Sequence, residues 1–332
     1  MMPVPGSPLR RWLCLLGTLL LPTWAMAEEW LPRHPDSAFR VLAWNVSREQ
    51  FFTHEQEVAS ILRAIDADVL LLDEMSGQRS AADLEARLEA LAEGQDWHSL
   101  YGSSGGANQR ATLSARAPLI DLPVFQQLSY PAEVQQMWLD GLPPPVDRAD
   151  VRQNLEWGLP AVGGVLQIDG RRVLFVGMDL QCCGKNPSEI QAQRRIYESY
   201  LLREAIETSV AQTQIDAVVV GGDFNAVTGR APVEIVATPL RAGTPALSVA
   251  EATHRDGRSQ WTWEGTGTPF PNGRLDFVLH SAPLKVLAAQ VFDSADLSAA
   301  ERARWGLSLG SAQKVSAHRP VVVDFGWVDK GR

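Results

Sequence analysis

Short apolar runs that end abruptly in glycine or in a polar residue set the rhythm of this chain. Val218-Val219-Val220 is the clearest: three β-branched residues, as in a strand buried on both faces, followed by Gly221-Gly222. The glycines supply backbone freedom and room for something to approach closely. Arg40 to Val46 (RVLAWNV), Val69 to Leu72, Ala111 to Ser114, the run Arg274 to Leu279 and Val321 to Val323 read as further strands. Gly164 to Ile168 and Arg172 to Val176 read as a hairpin across Asp169-Gly170. Between the strands the period changes. Thr53-x-x-Gln56 has the form of a capping box before Val58, Ile61, Leu62 and Ile65 at helical spacing. Leu84, Leu88 and Leu91 mark a second helix, and Ser188-x-x-Gln191 opens a long third one with Tyr197, Leu201 and Ala205 on one face. From Gln126 to Pro160 the periodicity lapses amid five prolines, which predicts a long structured loop. Its Trp138 and Trp157 either contact a substrate or pack beneath their own loop.

The start of the chain follows another logic. Arg10-Arg11, the apolar stretch Trp12 to Leu21 and Ala25-Met26-Ala27 have the order of a cleavable export signal over residues 1–27. Ten apolar residues are too few for a bilayer, which takes about twenty. The expectation is a secreted or periplasmic protein whose mature part, 28–332, forms one domain, since neither an internal repeat nor a linker interrupts it. The first 27 residues carry two arginines and no acid, so the formal charge of −9 becomes −11 without them. That balance gives no general attraction to nucleic acid or to an anionic membrane, although it leaves room for a local basic groove. Cys182 and Cys183 are the cysteines of the mature part, so no disulfide framework is expected. They form either a vicinal bond or a pair of buried thiols.

The candidate chemistry lies at strand ends. If the chain stays extended after Gly222, Asp223 and Asn225 face one side and Phe224 the other. A carboxylate and a carboxamide on one open face suit a hard cation such as Mg2+; the same residues are also ordinary turn formers. Asn45, Glu74, Asp276 and His318 likewise stand at predicted strand ends. Carboxylates, carboxamides and one imidazole together are what metal-assisted hydrolysis of a phosphate ester requires.

The strings LAWNV (42–46), the strand end at Glu74, GGDFN (221–225), GRLDFVL (273–279) and SAHRPV (316–321) resemble the endonuclease/exonuclease/phosphatase superfamily of deoxyribonucleases, abasic-site endonucleases and neutral sphingomyelinases. The resemblance runs through nearly all of the mature chain. It implies a four-layer α/β sandwich of two mostly antiparallel sheets flanked by helices, with Mg2+ or Mn2+ as cofactor. It implies Asn45, Glu74 and Asp276 as metal-holding residues, Asp223 and Asn225 handling water and phosphate, and His318 as a catalytic imidazole. The substrate is expected to be a phosphate ester (nucleic acid, phospholipid or small phosphoester), handled by a monomer without a stable protein partner. Two positions depart from the family pattern. Ala317 replaces the Asp that orients the His, and Asp179 stands where a His is usual; Asn108-Gln109-Arg110 also matches poorly. Asp179, with an ordinary pKa of about 3.9, is a poor general acid at pH 7 and is expected to hold metal or orient water. These departures keep a second expectation open: a catalytically reduced relative that binds a phosphorylated ligand or a protein.

Overall fold

A computed structural model describes residues 31–91, 94–184, 186–227 and 229–328, together with Met1. The expected export segment, 1–27, lies outside the described residues apart from Met1. Twelve strands among the described residues form two six-stranded sheets. The first sheet contains β1 (Phe39–Asn45), β2 (Val69–Met75), β3 (His98–Tyr101), β4 (Arg110–Ala115), β11 (Leu284–Val291) and β12 (Val321–Trp327). The second contains β5 (Ile120–Asp121), β6 (Ala161–Ile168), β7 (Arg171–Asp179), β8 (Ala217–Asp223), β9 (Leu247–Val249) and β10 (Asp276–Ser281). Strand order is β11-β12-β1-β2-β4-β3 in one sheet and β5-β6-β7-β8-β10-β9 in the other. Each sheet has one parallel pair at its centre, β1 with β2 and β7 with β8, and every other ladder is antiparallel. A parallel neighbour requires a crossover, and helices supply it in both cases. α1 (Gln50–Thr53) and α2 (Glu55–Ile65) join β1 to β2, and α6 (Ile190–Gln212) joins β7 to β8.

Alternation along the strands produces the layers. Phe39, Val41 and Ala43 of β1 face Phe175 and Val219 of the opposite sheet, forming the core between the sheets. Leu42 and Trp44 face the other way, onto Val58, Ile61 and Ile65 of α2 and onto Leu84 and Leu88 of α3 (Ala81–Leu91). Val218 and Val220 of β8 turn outward onto Leu202 and Ile206 of α6. The result is the expected four-layer sandwich, with two mixed sheets flanked by helices.

Several local expectations change. The stretch from Gln126 to Pro160 contains two nine-residue helices, α4 (Ala132–Asp140) and α5 (Arg148–Glu156), which its prolines obscure in the sequence. The prolines lie at the helix start (Pro131), in the connection between the two (143–145) and after the second (Pro160), where they cost no helical hydrogen bond. Neither expected capping box forms. His54 and Glu189 occupy the N-cap positions without a side-chain bond, and the Thr53 hydroxyl donates backward to the Glu49 carbonyl. Reciprocal caps of that kind form elsewhere, between Ser298 and Glu301 at α8 (Ala299–Trp305) and between Ser80 and Asp83 at the start of α3. The remaining short helices are α7 (Ala231–Ala237) and α9 (Ser311–Val315).

A buried ion pair locks the end of the first sheet away from the residues at 45 and 73. Arg40 donates to both carboxylate oxygens of Asp324, at 2.6 and 2.8 Å, and to the Ile65 carbonyl at 2.7 Å. Truncating one partner strands the other charge in the interior, which costs about 3–5 kcal/mol. Arg40→Met is therefore expected to lower folding stability by about that amount in denaturant unfolding, with Asp324 left uncompensated. A loss below about 1 kcal/mol would show that water reaches the carboxylate.

Candidate active site

The C-terminal ends of the two parallel pairs open at the same end of the sandwich, and polar residues are paired in register there. Asn45 lies beside Asp73 across β1 and β2, and Asp179 beside Asp223 across β7 and β8. β10 is antiparallel to β8, so its first residue, Asp276, pairs with Asp223. His318 precedes β12 and donates its backbone N–H to the Ser316 hydroxyl, while its carbonyl accepts from the Trp44 indole at 3.1 Å. Six chain segments thus reach one place.

Gly222 makes the arrangement sterically possible. Its φ is +141°, and a Cβ there would lie 1.9 Å from the Met178 carbonyl oxygen. Gly221 in turn admits Leu71 of the opposite sheet. The close approach that the two glycines predict is thus made by neighbouring strands. After Asp223 the chain turns: Asn225 has φ +45°, and its N–H donates to Asp223 Oδ1 at 2.8 Å. GGDFN therefore makes a turn rather than an extended open face, and the turn leaves Asp223 and Asn225 buried in one cluster. Phe224 is fully buried, edge-on to Phe277.

Side-chain geometry draws these residues into one cluster. His318 Nδ1 lies 2.8 Å from Asp276 Oδ2, and His318 Nε2 lies 3.7 Å from Asp223 Oδ2. One ligand atom from each of Asp223, Asp276 and His318 falls within 4.8 Å of the others. Asn45 donates its amide to Asp223 Oδ2 at 3.4 Å. Asn225 donates to the Leu180 carbonyl at 2.8 Å and to Asp179 Oδ1 at 3.3 Å. Asp73 Oδ2 accepts the Asp223 backbone N–H at 3.1 Å, a hydrogen bond between the two sheets. Thr262 steadies β10 by accepting the backbone N–H of Asp276 at 2.9 Å.

The carboxylates crowd one another. Asp73, Asp179, Asp223 and Asp276 are each at most 2% exposed. Burial, then the charges of Asp276 and Asp223, hold Asp73 well above the usual carboxylate range. Burial and the neighbouring Asp223 and Asp73 do the same to Asp179. Burial and Asp276 push Asp223 up to about 7, against the opposing pull of His318. Burial lowers the His318 pKa, but the Asp276 and Asp223 carboxylates outweigh it and carry the imidazole up to about 10. Among the described residues Asp73 Oδ1, Asp179 Oδ2 and Asp276 Oδ1 are buried without a hydrogen-bond partner. Orphaned anionic oxygens in one crowded cluster fit a hard cation.

The seven residues singled out in the sequence are distributed unevenly. Asn45, Asp179, Asp223, Asn225, Asp276 and His318 are all buried and joined by the contacts above. Glu74 stands at the rim, half-buried with φ +50°, outside the group of three; its charge is nevertheless felt at Asp73, Asp179 and Asp223. Asp276, expected in the metal set, also takes the orienting role that Ala317 lacks. Ala317 is exposed, so its side chain does not point into the cluster. Asp73 was missed by sequence reasoning, because Asp73-Glu74 offers two acids and alternation alone does not tell which one turns inward past an irregular register between Leu72 and Met75. Cys182 and Cys183, just beyond Asp179, are free, Cys182 partly buried and Cys183 exposed, so they form neither the vicinal bond nor the pair of buried thiols that the sequence left open.

The chain belongs to the endonuclease/exonuclease/phosphatase family, whose model matches residues 42–318. Members of this family are hydrolases acting on phosphoester bonds, typically with a divalent metal. A comparison with curated proteins gave no significant match. Among solved structures, an endonuclease/exonuclease/phosphatase from Bacteroides vulgatus is 13% identical with a TM-score of 0.55, covering 87% of this chain and 99% of its own. The human Nocturnin catalytic domain with bound sulfate is 16% identical with a TM-score of 0.55, covering 90% and 97%. A mannosyl-6-phosphatase from Bacteroides thetaiotaomicron is 13% identical with a TM-score of 0.54, covering 87% and 100%. These likenesses establish the fold.

The crowded carboxylates make stability depend on pH. Asp73, Asp179 and Asp223 bind protons more tightly folded than unfolded, so the folded state loses ground as pH rises above about 4, in the case of Asp223 through about 7. His318, raised to about 10, contributes stability that is complete below about 6.5 and lost toward 10. Both act in the same direction. The melting temperature of chelator-treated protein is expected to fall steadily between pH 5 and pH 9, and excess divalent cation is expected to restore most of the loss at the alkaline end. A melting temperature independent of pH under chelation would contradict the carboxylate assignment.

Proposed function

We propose that this protein is an exported hydrolase of phosphoric esters that works with a bound divalent cation, Mg2+ in the first place and Mn2+ as substitute. The observation that carries the reading is the set of buried, unpartnered oxygens on Asp73, Asp179 and Asp276 beside the Asp223–His318 pair. Asp276 would hold the cation, with the buried negative charges of Asp73 and Asp179 adding to its pull and Asn45 and Glu74 at its margin. When bound, the cation supplies positive charge to a phosphate oxygen as water attacks in line. Asp223, fixed by the Asn225 N–H and the Asn45 amide, is placed to orient that water and take its proton. His318, held through Nδ1 by Asp276, presents Nε2 to the same space and donates a hydrogen bond to the phosphoryl group. Ala317 argued for reduced activity; with Asp276 orienting the imidazole, that argument loses its main support. Among structures of the same fold, ANGEL2 is described as a 2',3'-cyclic phosphatase and the Bacteroides thetaiotaomicron protein as a mannosyl-6-phosphatase, in keeping with an ester of phosphate as substrate. Export rests on residues 1–27 and on no structural observation. We infer a monomer that needs no protein partner.

Activity on bis-p-nitrophenyl phosphate is expected to vanish in excess chelator and to return with Mg2+ or Mn2+. His318→Ala and Asp223→Asn are expected to lower kcat by about 10²–10⁴-fold. Asp223→Asn should fold as well as the parent, because it removes one like charge from a crowded site. His318→Ala removes the positive charge that faces Asp276 and Asp223, so its melting temperature should fall and its kcat is compared at a temperature where circular dichroism shows it folded. Turnover that survives in metal-free buffer would overturn the reading, as would near-normal kcat in either variant.

A further inference from the structure

The region from Gln126 to Pro160, whose helices the sequence hides, builds a cavity of about 700 Å³ between α4, α5 and the start of α6. Its far wall is aliphatic, with Leu142, Val146, Val151 and Ile190. Trp138 closes the base, itself held edge-on by Tyr130 and Tyr197 at 5.3 and 5.5 Å between ring centres. The near wall consists of Pro160, Gln181 and Cys182. Those residues adjoin the candidate active site through the backbone. Pro160 accepts the Asp179 N–H at 3.1 Å, and Gln181 and Cys182 follow Leu180, whose carbonyl accepts from Asn225. A molecule with phosphorus at the carboxylate cluster would thus extend toward this cavity past Asp179.

Trp157 gives the cavity its chemical character. Its indole is 36% exposed yet fixed in place, lying against Gly106, where a Cβ would come within 2.3 Å of the ring. Its carbonyl accepts the Gly105 N–H at 3.1 Å. A half-exposed aromatic ring held rigid by its own loop is a surface ready for another ring, with little ordering cost on binding. The charged residues of the lining are engaged elsewhere: Arg194 donates to Glu198 and contacts the Tyr130 hydroxyl, and Glu189 accepts from Asn186. The volume matches that of small-molecule sites, which run from about 300 to 1,000 Å³.

From this we infer that the cavity takes an uncharged, planar aromatic substituent of the phosphate ester, stacked on Trp157, and that Trp157 determines specificity. The inference rests on the proposed phosphate site and deepens it by naming the substrate class. Phosphonates test it without the confounding effect of leaving-group acidity, because they bind without being cleaved. In the presence of Mg2+, inhibition of bis-p-nitrophenyl phosphate hydrolysis by phenylphosphonate and by methylphosphonate gives two inhibition constants. The phenyl compound is expected to bind about tenfold more tightly, the scale of a well-formed aromatic contact. Trp157→Ala should bring the ratio below about two, and Trp157→Phe should restore part of it. Val146→Trp, at a wall position 43% exposed, should fill the cavity and abolish the preference even if Trp157→Ala fails to fold. A wild-type ratio near one, or a ratio retained in Val146→Trp, overturns the inference while leaving the phosphate site standing. If neither phosphonate binds, the phosphate site itself is wrong and the inference falls with it.

Discussion

Four aspartates, 73, 179, 223 and 276, are buried together with little positive charge beside them, and the surrounding structure is organised to tolerate this. Isolated carboxylates in a protein interior either take up protons or acquire a counter-charge. His318 supplies one positive charge, held by Asp276 and facing Asp223. Backbone N–H groups from residues 223 and 225 and amides from Asn45 and Asn225 supply neutral donors. Three oxygens still have no partner among the described residues, and that remaining deficit is what a divalent cation would fill. The site is thus crowded with like charge that a bound cation would offset.

The sandwich brings these groups together by repeating one arrangement. In each sheet a parallel pair sits at the centre with antiparallel strands on both sides, and in each the paired C-termini carry two polar residues in register. One pair delivers Asn45 and Asp73, the other Asp179 and Asp223. The sheets approach closely enough for the Asp223 N–H to reach Asp73 because Gly221 and Ala43 face each other there, and a Cβ on Gly221 would lie 3.2 Å from that of Ala43. The two halves show no repeat in sequence. What they share is strand direction, so the ends that gather polar residues are the ends that meet.

The two departures from the family pattern have different physical consequences. Ala317 faces solvent, and the imidazole takes its orientation from a carboxylate 42 residues earlier in the chain. Asp179 is buried in the cluster, where burial and its acidic neighbours favour its neutral form. It also begins the segment that lines the cavity beside Trp157, so the unusual residue and that cavity adjoin along the chain.

Eight of the twelve strands, the main helices and the order of the polar strand ends were legible in the sequence because they depend on local periodicity; β3, β5, β9 and β11 carry no such signal and were not read. Val218 to Val220, the Asp169-Gly170 turn and the period of Val58 to Ile65 need only their own neighbours to be read. Family resemblance then placed six of the buried polar residues, since their strings stand at strand ends. Tertiary structure alone decided the rest. Which of Asp73 and Glu74 turns inward depends on an irregularity in the pairing of β2 with β4. The capping boxes at Thr53 and Ser188 lost to helix starts set by packing, and α4 and α5 form amid prolines because those prolines fall before, between and after the helices. Arg203 and Glu207 lie fully buried on α6, where the sequence pattern alone shows two ordinary surface charges. The physical reason is common to all of these. Burial and charge pairing are set by residues far apart in the chain, and only the docking of the two sheets and their helices brings those residues into contact.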